Sequence, residues 1–377
     1  MNIHLIAAAR PNFMKIAPLY HALKSENGLK PVVVHTGQHY DLNMSDVFFE
    51  DLGLPAPDIH LGVGSGSHAE QTGQVMMAYE KVVLETRPDL VVVVGDVNST
   101  VACTLAAAKI NSYNGQRTMH HGRERRPYVA HLEAGLRSFD RTMPEEINRL
   151  VTDALADILW TPSPDADQNL ANEGVAPEKV QQVGNIMIDS LEMMREKIEG
   201  QAACTDLDLA PQRFGLVTLH RPSNVDDAGK LKQLCRSLID ISKHTPLAFP
   251  IHPRTRKNAA RLGILAELEK ASNLLILDPL NYVRFMNLVF NCRFALTDSG
   301  GIQEETTYLG IPCITLRPNT ERPITITQGT NRLCAIDNLS EAVDSVLNEA
   351  ARIECHIAQW DGKTAARVVQ SIKDFFG

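Results

Sequence analysis

The feature that most constrains the fold is a regular alternation of short apolar runs with helical patterns. The apolar runs lie at residues 3–7, 31–34, 90–94, 158–160, 215–219, 274–277, 294–296 and 313–316. Runs that are apolar on both faces are typical of buried parallel strands with helices on each side. Between them lie amphipathic segments, such as the one that begins at Pro11 and stops at Gly28. This alternation predicts a doubly wound α/β fold.

The alternation occurs twice, which predicts two Rossmann-like domains in a chain of 377 residues. We place an N-terminal domain at residues 1–187 and a second domain at residues 188–359. A final helix at residues 360–377 is expected to pack back on the first domain. Ligands of open α/β sheets bind at the carboxyl ends of the strands, so we expect the domains to face each other across a ligand-binding cleft.

The segment at residues 111–127 breaks the pattern, because it is polar, basic and without apolar periodicity. It is predicted to be an inserted loop. Two interpretations stay open for it: an exposed connection, or a functional element such as a lid or a subunit contact.

Composition narrows the classes of partner. The net charge is -8, and a mildly acidic surface argues against binding of nucleic acid. No apolar run approaches the roughly 20 residues that span a bilayer, so no membrane segment is expected. The seven cysteines are scattered, and none has the spacing of a zinc site. We therefore expect reduced thiols, no metal site and a cytoplasmic location.

A basic pair follows the first apolar run. Arg10 comes directly after the strand, and Lys15 lies one turn into the next helix. The N-terminus of a helix offers unpaired amide donors and the positive end of its dipole. We predict that Arg10 and Lys15 bind an anionic ligand there; the alternative is an ordinary surface pair.

A second candidate anion site follows the apolar run at residues 294–296. Ser299, Gly300 and Gly301 come next, and a helix begins after them. Small residues allow close approach of a ligand to the backbone, and the amides at the start of the helix suit a phosphate. The downstream Arg322 has a guanidinium that suits a pyrophosphate. The alternative is a capped helix that follows a tight glycine turn.

Three carboxylates in the first half follow predicted strands or open a helix. Asp96 and Glu133 each follow an apolar run, and Glu145 opens a helix after Pro144. Carboxylates gathered in a cleft raise one another's pKa, which makes one of them a candidate general base or acid. The alternative for Glu145 and for Glu146 is a favourable interaction with the helix N-terminus alone.

Two histidines in the second half also follow predicted strands. His220 follows the run at 215–219 and is a candidate for proton transfer or for contact with a phosphate. His252 occupies a similar place and is assigned, together with Arg137 in the first half, to substrate binding. The alternative for each histidine is a structural role. The chain has no nucleophile elbow of the G-x-S-x-G type.

Several motifs together carry a family resemblance. In chain order they are AARPNFMK, TGQHYD, VVGD, HLEAGLRS, MPEEINR, VGN, LHRP, TDSGGIQEE and TERP. In this order they resemble the non-hydrolysing UDP-N-acetylglucosamine 2-epimerases, from residue 2 to the last helix. The resemblance implies a glycosyltransferase-B-type fold of two Rossmann-like domains, a homodimer, a UDP-sugar substrate and no NAD or obligatory metal.

The resemblance also implies residue roles. Asp96, Glu133 and Glu145 match carboxylates that transfer protons, and His220 matches a histidine near the leaving diphosphate. The substrate-binding positions implied or assigned are Arg10, Lys15, Arg137, His252, Ser299, Gly300, Gly301, Glu305 and Arg322, with Glu305 as the ribose ligand. The implied reaction eliminates UDP across C1–C2 to give 2-acetamidoglucal and adds UDP back with inversion at C2.

Alternatives within the same resemblance stay open. Relatives that act on UDP-2,3-diacetamido-glucuronate share the motifs TGQHYD and GLRS. A hydrolysing epimerase would have the same fold, and a UDP-sugar glycosyltransferase would share the nucleotide-binding half. A non-catalytic UDP-sugar sensor would bind the ligand without turnover.

Overall fold

The computed structural model describes residues 1–37, 51–110, 119–120, 123–124 and 126–377. For Arg10, residues 119–120 and residues 123–124, it describes the backbone and not the side chain. Most of the loop predicted at 111–127 and the end of the TGQHYD motif therefore lie outside the described residues.

The chain divides into two units. The first comprises Met1–Met193 with Ala358–Gly377, and the second comprises Met194–Ile357. A helix at Ile186–Glu199 runs through the division, and the boundary predicted after residue 187 lies in the first turn of this helix.

A seven-stranded parallel sheet forms the centre of the first unit, in the order β3-β2-β1-β4-β7-β8-β9. The strands of the unit, including the antiparallel pair β5 and β6, are β1 (Asn2–Ala7), β2 (Lys30–His35), β3 (Ile59–His60), β4 (Leu90–Val94), β5 (Met119–His120), β6 (Arg123–Glu124), β7 (Tyr128–Leu132), β8 (Ile158–Thr161) and β9 (Val180–Gln182). Every residue of β4 is buried, as expected for a parallel strand covered on both faces.

Helices follow the strands of the first unit. They are α1 (Arg10–Lys24), α2 (His68–Thr86), α3 (Asn98–Ala108), α4 (Pro144–Leu155), α5 (Pro164–Asn172) and α6 (Ile186–Glu199). The start of α2 is a capping box, because the Glu70 amide donates to Ser67 and the Ser67 amide donates to Glu70 Oε2 at 2.9 Å. Val75, Tyr79 and Val83 recur at helical spacing and bury one face of α2 in the core.

The second unit contains a six-stranded parallel sheet in the order β12-β11-β10-β13-β14-β15. Its strands are β10 (Gly215–Thr218), β11 (Leu247–Pro250), β12 (Leu274–Leu277), β13 (Phe294–Thr297), β14 (Cys313–Thr315) and β15 (Asn331–Leu333). Two parallel α/β sheets confirm the predicted fold class.

The helices of the second unit are α7 (Ala203–Asp206), α8 (Pro222–Val225), α9 (Ala228–Ser242), α10 (Pro253–Arg261), α11 (Leu265–Lys270), α12 (Tyr282–Asn291), α13 (Gly300–Tyr308), α14 (Ile324–Thr327) and α15 (Leu339–Leu347). The apolar face of α9 buries Leu231, Leu234 and Leu238 in the same core as Val217 and Phe249 of the sheet. This packing holds the strand ends of the sheet in fixed positions.

The last helix, α16 (Thr364–Phe376), belongs to the first unit. Asp189 accepts hydrogen bonds from the amides of Thr364 and Ala365, at 3.0 and 2.8 Å, and so satisfies two amide donors at the N-terminus of α16. Farther along, the Trp160 indole donates to Ser371 at 2.8 Å. Among the described residues, no helix is long and apolar enough to cross a bilayer.

Candidate active site

Three neighbouring strands of the first unit bring candidate residues to one edge of the sheet. Strands β1, β4 and β7 are adjacent and parallel, so their carboxyl ends lie at the same edge. The N-terminus of α1 follows β1, Asp96 follows β4 and Glu133 follows β7. Asn12 links the start of α1 to the end of β4, because its side chain donates to the Val94 carbonyl at 3.0 Å. Arg10 begins α1, and its side chain lies outside what is described.

Lys15 and Glu133 form an ion pair at this edge. Glu133 is only 4% exposed, and its φ of 75° places it in the left-handed region that side chains rarely adopt. Its Oε2 contacts Lys15 Nζ, while its buried Oε1 has no hydrogen-bond partner among the described residues. A buried carboxylate with one unpaired oxygen is poised to accept a proton or a hydrogen bond from a ligand.

Gly95 makes room for that ion pair. A Cβ at residue 95 would lie 3.2 Å from Lys15 Nζ and 3.5 Å from Glu133 Oε2, and the φ of Gly95 is 67°. The glycine therefore lets the backbone that leads to Asp96 pass close to the charged pair.

Asp96 is held by a buried arginine. Arg149 of α4 contacts Asp96 Oδ2, and its Nη2 lies 2.6 Å from Glu146 Oε2. Asn148 donates to the Asp96 carbonyl at 2.8 Å. The side chain of Asp96 keeps 33% of its surface exposed, so it remains open to a ligand.

The two glutamates that open α4 have different environments. Glu146 is buried and accepts from the amides of Ser138 and Phe139, each at 2.9 Å. Burial raises its pKa, but the Ser138 amide and the Arg149 guanidinium outweigh burial, so the pKa lies below its ordinary value. Glu145 is exposed. Glu146 therefore holds the backbone at Ser138 and Phe139 and the guanidinium of Arg149 in place. Glu145 is available to solvent and ligands.

Arg137 is bound to carboxylates of its own unit. It is buried, with Nη1 2.7 Å from Asp153 and Nη2 2.7 Å from Glu173. Burial lowers its pKa, but the pairing with Glu173 and Asp153 outweighs burial and raises it above the ordinary value. These contacts give Arg137 a structural role, and they leave its assignment to substrate binding as a prediction.

In the second unit, Asp298 positions His220. The backbone amides of His220 and Arg221 donate to the Asp298 carboxylate at 2.9–3.1 Å, and Asn224 donates to it at 3.2 Å. The His220 Nδ1 lies 3.0 Å from Asp298 Oδ1, while 41% of the His220 side chain is exposed. Burial raises the pKa of Asp298, and the bonds from His220 and Arg221 outweigh burial and lower it. An ionised Asp298 therefore orients the partly exposed ring through Nδ1, so that Nε2 can face a ligand.

His252 lies beside His220, with ring centroids 5.8 Å apart. Its Nδ1 accepts from the Arg254 amide at 3.2 Å, which caps α10. Its pKa lies below the ordinary value because of burial and of the neighbouring His220 and Arg254. A neutral ring whose Nε2 is a donor follows from this geometry.

The predicted phosphate loop begins α13. Ser299 is the N-cap residue, and its side chain makes no capping hydrogen bond. The first amides of α13 therefore lack a side-chain cap from Ser299, as an anion site requires. A Cβ on Gly300 would lie 2.7 Å from Glu321 Oε1 and 2.9 Å from Arg322 Nη1, so a larger residue here would require these side chains to shift.

A buried cluster of alternating charges supports the loop. Arg322 pairs with Glu304 at 2.8 Å and with Glu321 at 2.5 Å, and Arg317 pairs with Glu321 at 2.8 Å. Burial raises the pKa of Glu321, but Arg322 and Arg317 outweigh burial and depress it well below its ordinary value. The guanidinium of Arg322 is thus held next to Gly300 by two carboxylates.

Glu305 is buried beneath Tyr282. The Tyr282 hydroxyl donates to Glu305 Oε1 at 2.9 Å. Burial raises the pKa of Glu305 to about 8, although the bond from Tyr282 lowers it. At neutral pH the carboxyl is largely protonated and able both to donate and to accept, which suits vicinal hydroxyl groups.

Sequence reasoning missed the residues that orient this site. Arg149 belongs to the motif MPEEINR, and Asp298 belongs to TDSGGIQEE, so membership of a motif was the available signal for both. Tyr282 lies 23 residues before Glu305, and no local pattern marks it. No group of three His, Cys, Asp or Glu side chains with metal-site geometry occurs in the part of the chain that the structure describes.

Comparisons with known proteins identify the family of this chain. A family model described as UDP-N-acetylglucosamine 2-epimerase matches residues 21–373. The UDP-N-acetylglucosamine 2-epimerase of Methanocaldococcus jannaschii is 39% identical over 98% of both chains. The UDP-2,3-diacetamido-2,3-dideoxy-D-glucuronate 2-epimerase of Pseudomonas aeruginosa is 38% identical over 98% of this chain and 99% of its own.

A solved structure agrees in fold. The crystal structure of the M. jannaschii UDP-GlcNAc 2-epimerase in complex with UDP-GlcNAc and UDP has a TM-score of 0.87 and 37% identity. The match covers 99% of this chain and all of the other. The matching family model and these relatives are named as epimerases, and epimerases are enzymes of the isomerase class. The chain belongs to the UDP-N-acetylglucosamine 2-epimerase family.

Proposed function

We propose that this chain interconverts UDP-N-acetylglucosamine and UDP-N-acetylmannosamine by elimination and re-addition of UDP. The observation that carries the proposal is the Lys15–Glu133 pair beside the Asp96–Arg149 pair at one sheet edge of an epimerase-family chain. Both pairs place a carboxylate where a proton can be taken or given.

The second unit is proposed to hold UDP. The start of α13 and the guanidinium of Arg322 suit the diphosphate, and Glu305 suits the ribose hydroxyls. His220, oriented by Asp298, is proposed to donate to the departing phosphate oxygen. Ser299, Gly300, Gly301 and His252 are proposed to complete the nucleotide contacts.

The first unit is proposed to act on the sugar ring. A carboxylate among Asp96, Glu133 and Glu145 takes the C2 proton while the C1–O bond to UDP breaks and a C1–C2 double bond forms. The phosphate oxygen of UDP then adds back to C1, and a proton is delivered to the opposite face of C2. Arg10 and Lys15 are proposed to balance negative charge during these steps.

The identity of the sugar has one specific competitor. The M. jannaschii and P. aeruginosa relatives are 39% and 38% identical to this chain, and their named substrates differ. UDP-2,3-diacetamido-glucuronate is therefore the second substrate to test.

The proposed setting is a homodimer in the cytoplasm that acts without nucleic acid. The seven cysteines are free thiols, five of them buried, as a reducing compartment allows. Light scattering of the purified protein tests the dimer.

The decisive experiment is incubation with UDP-N-acetylglucosamine in deuterated water. Deuterium at C2 of a UDP-N-acetylmannosamine product is expected. Free UDP that accumulates in step with free sugar indicates a hydrolysing epimerase instead, and transfer to an acceptor without C2 exchange indicates a glycosyltransferase. Absence of exchange with both UDP-sugars contradicts the proposal.

A further inference from the structure

His131 has an unusual pair of hydrogen-bond partners. It lies on β7 and is completely buried. Its Nε2 lies 2.8 Å from the Gly95 carbonyl oxygen, and its Nδ1 lies 2.5 Å from Asp153 Oδ1. A carbonyl oxygen and the oxygen of an ionised carboxylate only accept, so a ring that meets both donates from both nitrogens. A ring that donates from both nitrogens is an imidazolium.

Asp153 is an ionised partner for this ring. Its Oδ2 accepts from the Gly135 amide at 3.0 Å and lies 2.7 Å from Arg137 Nη1. Burial raises the pKa of Asp153, but His131, Arg137 and the Gly135 amide outweigh burial and lower it, so the carboxyl group is ionised. The pair His131–Asp153 is therefore a buried ion pair, and such pairs persist when every donor and acceptor is matched.

The backbone atoms that this pair holds are next to two candidate catalytic carboxylates. Gly95 directly precedes Asp96, and Gly135 lies two residues after Glu133. Loss of the bond to either glycine would remove one of the restraints on the backbone that aims one of these carboxylates. A displacement of about 1 Å can cost on the order of a hundredfold in rate.

We propose that His131 and Asp153 are positioning residues that hold the Asp96 and Glu133 loops in their reactive arrangement. This inference rests on the proposed function of the two carboxylates. Neither His131 nor Asp153 touches the sugar in this scheme; both act through the backbone.

The same sheet offers a matched control. His4 on β1 is also completely buried, and its ring nitrogens lie 3.1 Å from the Tyr79 hydroxyl and 3.2 Å from Thr86 Oγ1. Hydroxyl groups both donate and accept, so His4 needs no second proton. Burial lowers the pKa of His4 to about 4. Substitution of His4 therefore shows the effect of losing a buried histidine while the contacts of His131 with Gly95 and Asp153 stay intact.

The kinetic test compares wild type with His131→Gln, Asp153→Asn and His4→Gln. Gln at 131 can donate to only one partner, and its oxygen would then face Asp153. We expect kcat to fall ten- to hundredfold, with UDP affinity changed less than about threefold, because the nucleotide contacts lie in the second unit. Asp153→Asn keeps an acceptor for the Gly135 amide and lets a neutral His131 ring donate to the Gly95 carbonyl. Its kcat should therefore lie between those of wild type and His131→Gln. His4→Gln should lose stability while its kcat per folded molecule stays at the wild-type value.

A second measurement does not depend on activity. In ¹⁵N spectra of imidazole-labelled wild type at pH 7, His131 should show two protonated ring nitrogens, and Asp153→Asn should convert them to one. A singly protonated His131 in wild type overturns the inference, as does a His131→Gln kcat equal to that of His4→Gln. If wild type epimerises neither UDP-sugar while both ring nitrogens are protonated, the proposed function fails and the ion pair remains.

Discussion

Lys15 and Glu133 are separated by 118 residues in sequence and form an ion pair at the carboxyl edge of the first sheet. The pair is possible because β1 and β7 flank β4, so the helix after β1 and the turn after β7 meet. It leaves one oxygen of Glu133 buried and without a hydrogen-bond partner among the described residues. Glu133 is one of the carboxylates proposed to exchange the C2 proton.

The first prediction concerns the two strand-end carboxylates. Glu133→Gln and Asp96→Asn should each lower turnover by about a hundredfold or more, because an amide cannot accept the C2 proton. UDP affinity, measured by calorimetry, should stay near the wild-type value. Glu80→Gln, at an exposed position on α2, serves as the control. Near-normal turnover in both variants would remove these residues from the mechanism.

The second prediction concerns the orientation of His220. Asp298→Asn removes the charge that fixes the His220 ring, and bonds to charged groups contribute about 1.5–3 kcal/mol, so kcat should fall about ten- to a hundredfold. The double variant with His220→Asn should be no slower than His220→Asn alone, because both changes remove one function. Asp226→Asn, an exposed carboxylate of the same unit, is the control. Additive losses in the double variant would contradict a shared function.

The third prediction concerns Gly300 and its neighbour. Gly300→Ala should destabilise the free protein by about 1–3 kcal/mol, because its Cβ would lie 2.7 Å from Glu321 Oε1. Gly301→Ala is a matched control, since a Cβ there meets nothing within 4 Å. Thermal unfolding without ligand should separate the two variants, and UDP titration of Gly301→Ala then reports whether a ligand occupies the open space. Equal melting temperatures for both variants would show that the contact with Glu321 relaxes freely.

The fourth prediction concerns pH and Glu305. Its folded-state pKa of about 8 lies above the unfolded value of about 4.3. Between these two pKa values the folded protein keeps a proton that the unfolded chain releases. The contribution of Glu305 to the free energy of unfolding is therefore complete at low pH and is lost as the pH rises from about 4.3 to about 8. In this pH range the titration of Glu305 lowers the free energy of unfolding by at most about 1.4 kcal/mol per pH unit.

Glu305→Gln removes this dependence because glutamine does not titrate. Urea unfolding followed by circular dichroism at pH 5, 6, 7 and 8 should show a flatter profile for the variant than for wild type. Glu178→Gln, at an exposed position, should leave the wild-type profile unchanged. Identical profiles for wild type and Glu305→Gln would mean that Glu305 is ionised in the folded protein. Glu305→Ala should in addition weaken UDP binding, which tests the ribose contact.

Some of the site was predictable because strand-end position is a local property. In a parallel sheet, a residue that follows an apolar run lies at the carboxyl edge wherever the strand is placed, and Asp96, Glu133 and His220 all do so. The difference between Glu145 and Glu146 was not predictable, because only the loop that packs over α4 buries one and exposes the other.

The sequence by itself determined the alternation of strands and helices and the strand ends on which candidate residues lie, because both depend on neighbours a few residues away. Only the tertiary structure decided which charges meet. Arg137 forms ion pairs with Asp153 and Glu173, and Arg149 forms one with Asp96. The Tyr282 hydroxyl donates a hydrogen bond to Glu305. Such pairing sets burial and the pKa, and it depends on side chains brought together from distant parts of the chain.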